Sequence, residues 1–147
     1  MILQMDQIFQ DTTSSSVVLR TVDTDVLVLA IAASAQNENK NIYVQFGVGD
    51  HKRIFNVHNI RQEIGAQKAL ALPVFHAFTG CDTVSSFKSV EKKTAWELWA
   101  TYQDVTKAFL DLSTGPEVID SETLNLLARF IVLLYDKTSG CKSVNEL

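Results

Sequence analysis

Val17-Val18-Leu19-Arg20-Thr21-Val22-Asp23-Thr24-Asp25-Val26-Leu27-Val28-Leu29 is the stretch on which the reading of this chain turns. Its first half is apolar and β-branched, which predicts a buried strand over 17–22 in an α/β sheet. Two carboxylates one residue apart then interrupt it. The apolar run that follows, rich in Leu and Ala, predicts a helix from about Asp25 to Gln36, with Asp23 or Thr24 as its N-cap. Ligands of open α/β sheets bind at the carboxyl ends of the strands, so acids placed there are candidates for chemistry.

Working outward, Asn37 to Lys40 reads as a turn. Ile42, Val44 and Phe46 then alternate with polar residues as in a half-buried strand. Gly47 to His51 is a tight connection, and Arg53 to Val57 a short strand that fits a hairpin partner. From Asn59 the apolar period becomes helical, with Gly65 placed as a terminator. Lys68 to Phe78 predicts a buried helix with Pro73 in its first turn or kinking it. It ends in Thr79-Gly80-Cys81-Asp82-Thr83, a turn with a third acid. Trp96, Trp99, Tyr102, Val105, Phe109 and Leu112 recur at three- and four-residue steps over 92–112, with a break expected near 101–103. A last helix begins at Asp120 or Ser121. Residues 1–16 read as a peripheral segment, 17–138 as the domain, and 139–147 as a fraying tail.

The totals set limits. At 147 residues, 46% of them hydrophobic and 20% charged, the chain suits one soluble domain with a core of its own. A net charge of −4 argues against a general nucleic-acid coat, leaving room only for a local basic patch. Cys81 and Cys141 are too few for a disulfide framework and point to a reducing, intracellular compartment, nuclear or cytoplasmic. No apolar run reaches the roughly 20 residues that span a bilayer, and the first residues lack the basic start of a secretory leader.

Asp23, Asp25 and Asp82 form the candidate constellation. Magnesium and similar hard cations take carboxylate oxygens together with waters and substrate phosphates. A pair of such ions about 4 Å apart activates water for phosphodiester hydrolysis. Taken one by one, the same acids read as helix caps and first-turn residues that complement the helix dipole. His76 with Cys81 shows no spacing that argues for a thiol nucleophile, and His51 and His58 lack a third ligand; core and surface roles suit them better. Trp96 and Trp99 read as core rather than as a base-stacking platform.

The order of these features resembles the internal region of PIN-like nucleases of the flap-endonuclease and XPG type, over about Val17 to Leu112. In that family a strand ends in an Asp-x-Asp pair, matched here by Asp23-Thr24-Asp25. A later helix ends in a Gly-x-Asp turn, matched by Phe78-Thr79-Gly80-Cys81-Asp82-Thr83. The segment His76 to Thr83 is also similar to one shared by transposon-associated animal proteins. The resemblance implies a partial PIN-like (Rossmann-like, parallel) sheet followed by a helical arm. It implies Asp23, Asp25 and Asp82 as catalytic ligands of Mg2+ or Mn2+, and Lys88, Lys92 and Lys93 as contacts to nucleic acid, DNA rather than RNA. The family's backbone-binding turn is glycine-rich, whereas Ser86 to Lys93 contains no glycine. The family also draws acids from elements before the pair, where this chain has only Asp6 and Asp11.

Two functions of different class follow. One is a metal-dependent, structure-specific nuclease, or an inactive remnant of one. The other is a non-catalytic nucleic-acid or protein interaction module on the same fold. A haloacid-dehalogenase-type phosphatase, with Asp23 as nucleophile and Asp25 as general acid, ranks last, because that family's pattern calls for other residues than Val26 and Leu27.

Overall fold

Three strands hydrogen-bond in the order β1 (Ser16–Thr21), β2 (Asn41–Phe46), β3 (Arg53–Asn56). They belong to a computed structural model that describes residues 13–81 and 86–140. β1 and β2 are parallel, from Ser16 opposite Asn41 to Thr21 opposite Phe46. Parallel neighbours need a crossover, and helix α1 (Thr24–Ala33) supplies it. β2 and β3 are antiparallel, Tyr43 opposite Asn56 and Phe46 opposite Arg53. The sheet is therefore mixed: residues 47–52 are too few for a crossover and fold as the hairpin that the sequence suggests, so the parallel sheet implied by the resemblance is limited to β1–β2. Gly47 enables that turn: its φ is +98°, and a Cβ there would sit 2.9 Å from the His51 carbonyl oxygen.

The chain divides at Pro73 into two compact units. In the first, α1 and helix α2 (Val57–Ile64) pack on the sheet. Ile42 and Val44 of β2 are wholly buried, as is Val57 at the start of α2. The opposite sheet face is open: Val18 is 56% and Ile54 67% exposed. This corrects the expectation of a buried strand over 17–22. Only Val17 of β1 is buried, because side chains alternate along a strand and one face alone carries helices. Asn56 caps α2 through the amides of His58 and Asn59. Gly65 ends that helix at φ +86°. His58, expected at the surface, is half-buried with Nε2 2.5 Å from the Lys40 carbonyl. Arg61 bonds both the Ser34 carbonyl and Glu38.

Helix α3 (Ala66–Phe78) holds Pro73 in its interior, where the ring removes one main-chain donor. The second unit comprises the end of α3, α4 (Lys92–Thr101), α5 (Val105–Ser113) and α6 (Ser121–Tyr135). The break expected near 101–103 is present. This unit is built on aromatic rings. Phe75 stacks on Trp99 at 4.6 Å, and Phe109 meets Phe75, Trp99 and Phe130 edge-on at 5.3–5.9 Å. Each such pair adds about 0.5–1.5 kcal/mol beyond area burial. Trp99 and Phe109 are fully buried, and the indole N–H donates to Thr106 Oγ1 at 2.9 Å. The reading as core is borne out for Trp99, while Trp96 is half-buried, edge-on to Phe75 and Trp99. Asp120 caps α6 by accepting the Thr123 amide at 2.7 Å. That bond holds its carboxyl below the usual carboxylate range. A depressed pKa stabilises the fold above the ordinary carboxylate range, and the contribution fades as pH falls through the lowered value. Among the described residues no helix is long and apolar enough to cross a membrane.

Phe109→Ala is expected to cost about 3–5 kcal/mol in urea unfolding, the usual range for emptying an aromatic core site. Asp120→Asn is expected to shift acid unfolding to lower pH, because Asn caps without titrating; the midpoint of a pH titration followed by circular dichroism measures it.

Candidate metal and nucleic-acid site

β1 ends at Thr21 and α1 starts at Thr24, so only Val22 and Asp23 make the turn between them. A helix that starts so abruptly leaves its first amides without main-chain acceptors. Asp23 solves this with extended backbone angles (φ −97°, ψ 124°) and a carboxylate turned back on the helix. Its Oδ1 accepts the Asp25 amide at 2.8 Å, and its own amide donates to Thr21 Oγ1 at 2.9 Å. Asp23 is exposed, and Asp25 lies half-exposed in the first turn. The acid pair thus stands at the carboxyl end of a strand in a parallel pair.

The donor chemistry suits a hard cation as far as it goes. A carboxylate has two oxygens, so Asp23 retains Oδ2 beyond the capping bond. The two acids together also offset the positive end of the α1 dipole, which by itself repels a cation. Among the described residues, no group of three or more His, Cys, Asp or Glu side chains is placed to hold a metal. Asp82, Asp6 and Asp11 lie outside those residues, so the third expected ligand has no described position.

What is described on either side of Asp82 is tightly fixed. Thr79 is buried and its hydroxyl donates to the Phe75 carbonyl at 2.8 Å. Gly80 follows at φ +99°, and a Cβ on it would lie 2.6 Å from Ser86 Cα. Both the backbone angle and the space therefore demand glycine. Lys92 holds the same place from the other side. Its Nζ reaches the Gly80 carbonyl at 2.5 Å, the His76 carbonyl at 3.0 Å and His76 Nδ1 at 2.8 Å. A lysine ammonium has three donors, and here there are three acceptors at the carboxyl end of α3, where a cation also suits the helix dipole. The lone pair of Nδ1 faces the ammonium, so the proton of a neutral His76 ring sits on Nε2.

The three lysines therefore stand in different settings. Lys92 is half-buried and turned into the protein. Lys88 is exposed in the turn Phe87–Val90, closed by the Val90 amide on the Phe87 carbonyl at 3.2 Å. Lys93 is 82% exposed with Glu97 4.0 Å away. The turn without glycine still adopts the backbone glycine favours, because Ser89 has φ +62°. The Lys92 clamp escapes sequence reasoning, since its acceptors precede it by 12 and 16 residues and no periodic pattern links them.

Gly80→Ala is expected to cost about 2–4 kcal/mol, combining a left-handed backbone with a main-chain clash; chemical denaturation measures it. Lys92→Met, which keeps the stem and deletes the ammonium, is expected to cost about 1–3 kcal/mol by orphaning its acceptors. Lys88→Met and Lys93→Met are expected to leave stability within about 0.5 kcal/mol. No family model, curated protein or solved structure matches this chain.

Proposed function

We propose that the chain carries part of a PIN-like nuclease fold of the flap-endonuclease and XPG type, and that Asp23 and Asp25 bind a divalent magnesium or manganese ion beside a nucleic-acid backbone. The observation that carries this reading is the β1–α1–β2 crossover, with Asp23 exposed and Asp25 half-exposed where its first strand ends. Asp23 Oδ2 and the Asp25 carboxylate are the oxygens that would hold the ion. Asp82 is the third ligand that the family resemblance implies. Bound there, a divalent ion would polarise a water or a phosphate oxygen. The first unit's part is to present acids at a strand end, and the second unit's is to present exposed cations at Lys88 and Lys93, with DNA as the preferred polymer. Lys92 drops out of the phosphate-contacting set, since its donors are engaged within α3 and the Gly80 turn.

A non-catalytic interaction module on the same fold is the second reading. It is favoured by the helix cap, which by itself gives Asp23 a structural role through Oδ1.

Asp23→Asn separates the two. Asn caps about as well as Asp, so thermal stability in EDTA is expected to stay within about 0.5 kcal/mol of the parent. Millimolar Mg2+ or Mn2+ is expected to raise the Tm of the parent and not of Asp23→Asn or Asp25→Asn. An Asp82→Asn variant asks separately for the third ligand. Equal metal shifts in parent and variants would contradict the site. With DNA, Lys88→Ala and Lys93→Ala are each expected to lower the salt slope of binding by about one. Salt-sensitive binding without magnesium-dependent cleavage would favour the second reading.

A further inference from the structure

A groove runs beside α6 in the second unit. Its wider part, about 530 Å3, is lined by Ser121, Glu122, Asn125, Leu126 and Arg129 of α6, with Tyr102 as a wall. A cleft of about 380 Å3 shares Tyr102 and is lined on the α6 side by Leu133 and Lys137. Along the helix, Glu122, Leu126, Arg129 and Leu133 recur at steps of three and four and so form one stripe. Leu127, Phe130 and Leu134 are buried, while Leu126 and Leu133 remain half-exposed on the groove side. The stripe has an acid at its amino end, a leucine on either side of its middle, and a base just past its carboxyl end.

Such a pattern is its own complement when reversed. We propose that the groove is a self-association surface, in which α6 of a second copy lies antiparallel about a twofold axis. Glu122 then faces Lys137 of the second copy, and Leu126 faces Leu133 of the second copy. Both pairings fall in one register, centred between Arg129 and Phe130. The axis that creates one pairing creates its mirror, so every contact occurs twice. Arg129 lies within one residue of the axis, and because a twofold that makes helices antiparallel keeps each residue on its own flank, the two guanidinium groups share one flank, a repulsion that the two Glu122–Lys137 pairs outweigh. Glu122 already meets Lys107 at 2.5 Å within its own chain, and its second oxygen serves a second cation. Tyr102 suits a wall that excludes water: burial, helped by Asp104 and opposed by Arg129, keeps its phenol protonated above the usual range. The charge order selects a second copy over an unrelated helix, since no other sequence need share this register.

The test is sedimentation of the full 147-residue chain over a concentration series at 0.15 M salt. A concentration-dependent monomer–dimer equilibrium is expected. Glu122→Lys and Lys137→Glu are each expected to raise the dimer Kd about tenfold or more. The double variant is expected to restore it. Within one chain the two positions are about 22 Å apart along a helical path, so rescue cannot arise in a monomer. Leu126→Asp, checked for folding by circular dichroism, is expected to abolish the dimer. A monomer at all concentrations up to millimolar would overturn the proposal. So would a double variant no tighter than either single one, or a folded Leu126→Asp variant that still dimerises.

Discussion

The hydrogen bond from the Asp25 amide to Asp23 Oδ1 is the constraint on which the first unit rests. A strand that gives way to a helix within two residues needs an acceptor for the helix's opening amides. Water can serve at this exposed end, but a side chain in the turn does so without ordering a solvent molecule. Asp23 provides that side chain, α1 can then start at Thr24, and the crossover returns the chain parallel to β1. The same requirement fixes the acid pair at the strand end. Capping and metal binding thus draw on one carboxylate, and they differ in what they need from it. The cap needs one oxygen and no charge, whereas a divalent ion needs the charge.

The second unit has a corresponding constraint in Lys92. A cation at the end of α3 gathers two carbonyls and a ring nitrogen and holds the Gly80 turn beside Ser86. Inside the unit, the rings of Phe75, Trp99, Phe109 and Phe130 form one contiguous cluster across α3, α4, α5 and α6. The clamp has a consequence for function. It leaves Lys88 and Lys93 as the outward-facing cations of that stretch, separated by the left-handed Ser89.

Local chemistry made much of this architecture readable. Alternation marked β2, Gly65 marked the end of α2, and the three- and four-residue recurrence that includes Trp99, Val105 and Phe109 marked a buried face. Those signals are carried within a few residues. Sheet composition was harder to read, because a β-branched run looks alike whether one face or both are covered; Val18 and Val22 proved exposed. The candidate site was legible only in part. Asp23 and Asp25 are separated in sequence only by Thr24, and the cap of Asp23 on the Asp25 amide follows from the strand–helix junction. The role of Lys92 depends on a contact across the Gly80 turn, which neither composition nor periodicity encodes.

Binding of a divalent cation by the acid pair at the end of β1, as proposed, is read most directly from paramagnetic broadening of backbone amide signals by substoichiometric Mn2+. Early, selective loss of the Asp23 to Val26 amides, reversed by excess Mg2+, is the predicted result. Broadening spread over the acidic surface around Glu117, Asp120 and Glu122, with the 23–26 amides no more affected than the rest, would contradict it.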